Sequence, residues 1–445
     1  MNYEDKLQNV SVLGAAGKMG SGILLLTAIE MADLQLKPEN QSKTFALNAI
    51  DVSPAALSGL FLYLKAQVRK IAEKKMVALR TVYKDRKDLI ENGEIIDQYI
   101  DDVLKIVHTS TSIESTYNSG LIFEAIIENS DLKVKLITQI LENNNNDPWF
   151  FTNTSSVPIN ELDTKANING KILGFHFYNP PAVQRLVEII AWEKTNKDLI
   201  EFAQAYAKKL RKTLVPSNDK AGFIGNGHFM RDILFGLKQA ESLFDKMSFA
   251  EAFYAVNRIS QDFMIRPMGI FQLMDYVGQD VCQKIMIVMR PRLNEDSLHS
   301  DLIDQLNSQD VKGGQNSDGS QKAGILFYEK GQPTAVYDPN KKDYVKIADF
   351  KEKVDNMLGA LPSLHKPWKA VVGNKGKDQI LSDYFNELKA MDTLGSQLTK
   401  DYVINSKNIG LKLVTDGVTE KEDHVNTVML MGFFHAYGPI NNYFN

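Results

Sequence analysis

A chain of 445 residues, 44% hydrophobic and 24% charged, has the composition of a soluble globular protein with room for two or three domains. A formal net charge of −4 leaves no basic footprint for nucleic acid. Cys282 stands alone, which excludes a disulfide framework and a cysteine-ligated metal and makes a reducing cytoplasm the expected compartment. The opening MNYEDKLQ lacks the apolar stretch of a signal peptide, and no apolar run reaches membrane-spanning length.

The first predicted element is the apolar run Val10–Leu13. It stops at Gly14 and is followed by Gly17, Gly20 and Gly22, then by a second apolar run, Ile23–Leu26. That order reads as strand, tight turn, helix. Glycine lets a backbone approach a ligand with no Cβ in the way, and the N–H groups at a helix start favour an anion such as a pyrophosphate. The spacing is G-x-x-G-x-x-G where the dinucleotide fingerprint has G-x-G-x-x-G, so the turn needs its context. Ala46–Ile50 supplies it, as a second strand closing on Asp51. An acid there suits an adenosine ribose and repels a 2′-phosphate, which favours NAD over NADP. The polar stretch Met31–Lys43 reads as an inserted loop that explains the long gap to Asp51, and Ser53 ahead of Pro54 as the N-cap of the next helix.

Pro54–Ile90 is predicted as one long helix carrying Lys65, Arg69, Lys70, Lys74, Lys75 and Arg80. Such a run is ordinarily a solvated face; its functional reading is a contact to the phosphates of a large anionic ligand. Ile95–Ile106 continues as helix, and Ile106–Ser110 as a short strand. Gly120–Ile127 is a buried strand ending in Glu128 and Asn129, Leu132–Leu141 a helix, and Trp149–Thr152 a strand leading into Asn153-Thr154-Ser155-Ser156. Strands at Ile172–Phe177 and Leu186–Ala191, a helix at Leu199–Leu210 and a strand at Leu214–Ser217 follow. This alternation predicts an α/β, Rossmann-type, doubly wound and mainly parallel sheet, with residues 1–217 as a dinucleotide-binding domain.

Beyond Asp219 the strand signal fades and all-α C-terminal domains are expected. Gly222–Met247 has the periodicity of one long helix, and Phe249–Ile259 and Phe271–Met289 follow as further helical segments. Gly313–Gly324 reads as a loop and Ala335–Val345 as extended or loop, ahead of a last helical section, Ile347–Asn445. Residues 247–271 and 417–440 each show a turn, an acidic helix start, an apolar-periodic helix and a Pro/Gly elbow. Gly269 matches Gly438, and Val256 matches Val425. The pair predicts an internal duplication: a helical domain at 218–345 and its repeat at 346–445.

The residues suited to chemistry cluster in two short stretches. His176 ends the strand that enters HFYNPP, and Glu188 lies inside LVEII. An acid flanked by Leu186, Val187, Ile189 and Ile190 needs a partner. A histidine donating a ring N–H would satisfy it; the carboxylate then fixes the tautomer and stabilises the imidazolium, and the second ring nitrogen acts as general base. Oxidising a secondary alcohol needs such a base beside a hydride acceptor. The competing reading is a core histidine paired with an acid and no catalysis. Ser155 and Asn226 sit at element ends, as oxygen-binding groups or as plain caps and turns.

With these residues in view, the chain resembles the 3-hydroxyacyl-CoA dehydrogenase family. The matching pieces, in order over residues 9–327, are VSVLGAAGKMGSGI, Asp51 after its strand, FEAIIENSDLKVK, NTSSVPINEL, GFHFYNPPAVQRLVEII, DKAGFIGNGHF, RPMGIFQLMDYVG and AGILFYEKG. The resemblance implies NAD-dependent oxidation of (S)-3-hydroxyacyl-CoA to 3-oxoacyl-CoA in fatty-acid β-oxidation, or the reverse on 3-hydroxybutyryl-CoA. It assigns His176 as base, Glu188 as its orienting acid, Ser155 and Asn226 to the substrate oxygen, and Asn179 to the active site. Gly14, Gly17, Lys18, Met19, Gly20 and Asp51 carry over to the NAD pyrophosphate and ribose, and Ala125, Glu128, Lys133 and Asn153 to its nicotinamide half; no metal is implied. The family's Pro-Gly-Phe and Asn-Arg appear here as Ala221-Gly222-Phe223 and Asn226-Gly227. The layout is similar to that of the two-helical-domain multifunctional members without a hydratase part. It implies an acyl-CoA substrate, a monomer or homodimer, and association with a hydratase or thiolase. Two other readings stay open. One is a dehydrogenase of free β-hydroxyacids, against which the His176–Glu188 pair speaks because those enzymes rely on a lysine; the other is a non-catalytic dinucleotide-binding protein.

Overall fold

The computed structural model describes residues 3–316 and 319–444, and the chain divides into two compact units, Met1–Asp219 and Lys220–Asn445. The first unit opens with a short helix α1 (Tyr3–Lys6) and holds eight strands: β1 (Asn9–Leu13), β2 (Ala46–Ile50), β3 (Val107–Ser110), β4 (Leu121–Glu124), β5 (Trp149–Thr152), β6 (Ile172–Phe177), β7 (Leu186–Ala191) and β8 (Thr213–Asn218). They form one sheet in the order β3-β2-β1-β4-β5-β6-β7-β8. Every pairing is parallel except β6 with β7. The chain steps outward from β1 to β3 and then crosses back to β4. The ends of β1 and β4 therefore form the switch point where ligands of such sheets bind.

Helices α2 (Lys18–Gln35), α3 (Pro54–Val82), α4 (Asn92–Lys105), α5 (Ser130–Asn143), α6 (Ile159–Ala166) and α7 (Lys197–Lys209) complete the unit. β4, β5 and β6 are buried at every position, as expected of strands covered on both faces. Phe123, Phe151, Phe175, Phe202 and Tyr206 stack on one face, with Phe151 and Phe175 parallel at 4.8 Å. On strand β6 Gly174 and His176 point the other way; a Cβ on Gly174 would stand 3.1 Å from Ile159 of α6.

Three local expectations need correction. Met31–Lys43 is not a loop throughout: α2 runs to Gln35 and buries Met31, Ala32 and Leu34, and only the segment after it, with a 3₁₀ turn at Pro38–Asn40, is irregular. α3 stops at Val82 rather than Ile90, where Arg86 turns back onto Asp88. β4 ends at Glu124 because Ala125 is diverted towards the glycine turn, its carbonyl oxygen 2.5 Å from where a Cβ on Gly14 would lie.

The second unit contains α8 (Gly225–Glu241), α9 (Phe249–Arg258), α10 (Ile270–Val277), α11 (Gln279–Leu293), α12 (Asp301–Ser308), α13 (Lys351–Leu358), α14 (Trp368–Val372), α15 (Lys377–Ala390), α16 (Leu394–Thr415) and α17 (Glu422–Gly432). The helix expected over Gly222–Met247 is shorter than that run, and the expected separate helix from Phe249 is present. α8 ends at Glu241, and α9 starts behind a capping box in which the Ser248 hydroxyl accepts from Glu251 N–H and Glu251 accepts from Ser248 N–H. Phe271–Met289 breaks at Gly278, whose φ of +107° no side chain adopts readily. Ala335–Val345 falls in a three-stranded antiparallel sheet of β9 (Leu326–Glu329), β10 (Gln332–Asp338) and β11 (Asp343–Lys346). Gly313–Gly324 carries no helix among its described residues; Ser317 and Asp318 lie outside them.

Buried Asp275 joins two of the sequence motifs. It accepts from the N–H groups of Ile325 and Leu326, from Tyr328 Oη and from Gln279 Nε2, so RPMGIFQLMDYVG holds AGILFYEKG in place. Burial pushes its carboxyl up to about 7 against these donors. One hydrophobic core draws on both helical segments, from Ala221 to Tyr437. Within it the same elbow occurs twice. Asn257 Oδ1 accepts from Phe271 N at 3.2 Å, and Asn426 Oδ1 accepts from Ile440 N at 3.0 Å. In both, a Cβ on the glycine two residues earlier, Gly269 or Gly438, would fall 2.2 Å from that oxygen.

Candidate active site

The glycine turn sits at the switch point. Gly14 has φ +74°, and a Cβ on Gly20 would lie 2.0 Å from Gly14 O, so helix α2 starts flush against the end of β1. Gly17 is the N-cap of α2; no side chain caps the helix and no acid lies in its first turn. The positive end of the helix dipole is thus not offset from within, and a pyrophosphate matches it. Asp51, at the end of neighbouring β2, accepts from Ala16 N at 3.1 Å and from Ser53 N at 3.2 Å. The Ser53 hydroxyl itself caps α3 through Ala56 N.

Across the switch point, Lys133 of α5 is fully buried with Glu124 Oε1 at 2.7 Å and Glu128 Oε2 at 3.3 Å. Burial alone would lower the lysine and raise Glu128. The two carboxylates outweigh it at Lys133; the Lys133 charge, the Thr154 and Ser156 hydroxyls and Ser155 N–H outweigh it at Glu128. Glu128 Oε1 takes four donors: Thr154 Oγ1, Ser155 N, Ser156 N and Ser156 Oγ. The loop bearing Ser155 is therefore tied down by the acid expected at the cofactor. Asn153 Oδ1 accepts from Phe177 N at 2.8 Å, which ties the end of β5 to that of β6.

His176 and Glu188 stand directly opposite in the antiparallel β6–β7 register, hence on one face. His176 Nδ1 lies 2.9 Å from Glu188 Oε2, with Glu188 fully buried. Tyr178 Oη donates to the same oxygen at 2.9 Å. Asn179 precedes Pro180 in the following loop, which Lys212 holds through the carbonyls of Pro181 and Gln184. Partial burial pushes that lysine down to about 8.

The first unit carries Gly14, Gly17, Asp51, Ala125, Glu128, Asn153, Ser155, His176, Asn179 and Glu188 on its strands and the adjoining loops, and Lys18, Met19, Gly20 and Lys133 in the first turns of α2 and α5. Asn226 belongs to the first turn of α8 in the second unit. Sequence reasoning passed over Glu124, Tyr178 and Lys212. Glu124 carried a signal, since an acid inside GLIFEAII poses the same question as the acid inside LVEII.

An uncapped helix behind a glycine turn, an acid on the second strand and a His–Glu pair on a doubly wound sheet define the class, an NAD-dependent oxidoreductase. Residues 9–220 match the model of the 3-hydroxyacyl-CoA dehydrogenase NAD-binding domain, and residues 252–323 that of the C-terminal domain of the same enzymes. The chain belongs to the 3-hydroxyacyl-CoA dehydrogenase family. The fatty acid oxidation complex subunit alpha of Shewanella sp. (strain MR-4) is 28% identical over 307 residues, which span 69% of this chain and 40% of that protein. A probable 3-hydroxybutyryl-CoA dehydrogenase of Bacillus subtilis (strain 168) is 28% identical over 291 residues, 65% of this chain and 88% of that one. The crystal structure of 3-hydroxybutyryl-CoA dehydrogenase from Escherichia coli K12 shares the fold, with a TM-score of 0.62 at 19% identity over 98% of this chain and 90% of that one. Among the described residues no helix is long and apolar enough to cross a membrane.

Proposed function

We propose that the chain oxidises (S)-3-hydroxyacyl-CoA to 3-oxoacyl-CoA in fatty-acid β-oxidation, with His176 as general base. The observation that carries this reading is the 2.9 Å contact of His176 Nδ1 with buried Glu188. A carboxylate only accepts, so Nδ1 bears the proton and the ring lone pair lies on Nε2. Nε2 takes the hydroxyl proton while hydride is lost from the same carbon, and Glu188 stabilises the imidazolium that forms. NAD, when bound, supplies the hydride acceptor. Gly14, Gly17, Lys18, Met19 and Gly20 would hold its pyrophosphate, Asp51 its ribose, and Ala125, Glu128, Lys133 and Asn153 its nicotinamide half. Ser155 and Asn179 keep the substrate-side roles their motifs imply.

The test is a steady-state panel of 3-hydroxyacyl-CoA esters from short to long chains, each with NAD and NADP, beside the free hydroxy acids. Turnover is expected with the esters, roughly tenfold or more in favour of NAD because Asp51 repels a 2′-phosphate. It is expected to fall about 10²–10⁴-fold in His176→Ala. Equal turnover of the free acids would overturn the substrate, and a His176→Ala enzyme within a few fold of wild type would overturn the base. The name of the Bacillus relative supports a second reading, a 3-hydroxybutyryl-CoA dehydrogenase, here working in the reductive direction; turnover confined to the shortest esters, with reduction of the 3-oxo ester outpacing oxidation, favours it.

The name of the Shewanella relatives, subunits of an oxidation complex, supports association with a hydratase or thiolase. The matched Asn257 and Asn426 elbows support residues 346–445 as a copy of 218–345.

A further inference from the structure

We propose that Tyr178 is a positioning residue for the His176–Glu188 pair: its hydroxyl donates to the carboxylate oxygen that the imidazole also uses, and so sets how strongly His176 holds a proton. The inference rests on the reading of His176 as the base.

Glu188 Oε2 has Tyr178 Oη and His176 Nδ1 both at 2.9 Å, and the two rings lie 5.0 Å apart between centroids. Burial, then the Glu188 charge and the hydrogen bond to it, push the phenol well above its ordinary range, so it remains a donor at every working pH. A second donor on Oε2 draws charge from the oxygen that stabilises the imidazolium. Removing that donor returns the charge to the oxygen that faces Nδ1.

Lys212 holds the loop between Tyr178 and Glu188 through the carbonyls of Pro181 and Gln184, 5.8 Å over the Phe177 ring, and burial pushes it down to about 8. β5 to β8 carry two titratable side chains between them, His176 and Glu188. On α6, Asp163 is engaged by Trp192 Nε1 and Gly170 N, and Glu161 by Lys165 and Ser130. On α7, Lys197, Asp198, Glu201, Lys208 and Lys209 face solvent, and Tyr206 bonds Thr27 on the opposite face of the sheet.

Alcohol oxidation needs the neutral imidazole, whereas reduction of the ketone needs the imidazolium. Tyr178→Phe removes the competing donor and keeps the ring. The rising limb of oxidation and the falling limb of reduction should both move to higher pH by about one unit. At a pH on the limb, oxidation falls up to about tenfold and reduction gains, while the limiting rates at the favourable pH stay within about threefold. Site-specific 3-fluorotyrosine at position 178, a more acidic phenol, should move both limbs the other way. A merely structural role would depress both directions at all pH values, and that result, or limbs that do not move, overturns the proposal. His176→Ala measured alongside separates the failures. Turnover surviving in it overturns the base assignment, whereas an inactive His176→Ala with unmoved Tyr178→Phe limbs overturns the role of the phenol alone.

Discussion

Two buried carboxylates occupy one sheet and end in different roles. Glu188 meets an imidazole and a phenol; Glu124, on β4, meets the ammonium of Lys133 and the Thr152 hydroxyl at 2.6 Å. Both obey the rule that a buried charge must be paired and hydrogen-bonded. The difference lies in the partner. An imidazole exchanges its proton near neutral pH, and a lysine flanked by two carboxylates does not. The first arrangement can take part in a reaction cycle. The second is a fixed knot, and through the four donors on Glu128 it holds the loop that carries Ser155.

The largest expected effect that sharpens this contrast is on stability. Lys133→Met leaves Glu124 and Glu128 buried without a cation and should cost about 3–5 kcal/mol at pH 8. The sign of its pH dependence follows from the shifts. Glu128 is held low in the fold, so its contribution is present above the unfolded carboxyl pKa and lost as pH falls through its folded one. Lys133 is held high, so its contribution is present below the unfolded lysine pKa and lost as pH rises through its folded one. Between roughly pH 5 and 10 the native knot is therefore constant. In Lys133→Met the orphaned carboxyls are pushed up by burial and relieve their charge by taking protons, so the deficit should shrink as pH falls from 8 to 5. Denaturant unfolding at both pH values measures it, and a deficit that grows on acidification would break the account.

The two sites also differ in how far the sequence exposed them. The boundaries of β2, β5, β6 and β7 were legible because each is a short, mainly apolar run with a polar residue one or two positions beyond its end. His176 and Glu188 were legible for a related reason, an acid isolated among aliphatic side chains and a histidine at the mouth of its strand. Glu124 stood in an equally apolar strand, but its cation comes from another element: Lys133 lies on the buried face of α5 with Ile137 and Ile140, four and seven residues on, a helical spacing that was there to be read. Tyr178 was hidden because an aromatic residue beside a strand reads as packing, and only coordinates show where its hydroxyl goes. Met31–Lys43 misled through composition. Asp33 and Gln35 alternate on α2 with buried Ala32 and Leu34, so polar content masked a helical face. The division of the helical section failed where termination is decided locally. The run expected to reach Met247 stops at Glu241, where Ser242 and Leu243 turn back onto Lys238 and Ala240, and the positive φ at Gly278 ends another that periodicity alone carries through.

The smallest effect gives the cleanest comparison, because the same kind of change can be made at both sites. Thr152→Val removes a hydroxyl donor from Glu124 and the acceptor of Thr154 N–H, with little change of shape, as Tyr178→Phe removes one from Glu188. A lost hydrogen bond to a buried charge should cost Thr152→Val about 1.5–3 kcal/mol, read as a lower unfolding midpoint. Its pH–rate limbs should stay where they are, since Glu124 faces a partner that keeps its proton throughout the working range. Tyr178→Phe should move those limbs. A shift of equal size in Thr152→Val would mean that the two carboxylates report to one shared proton, and the separation of reactive pair from fixed knot would fail.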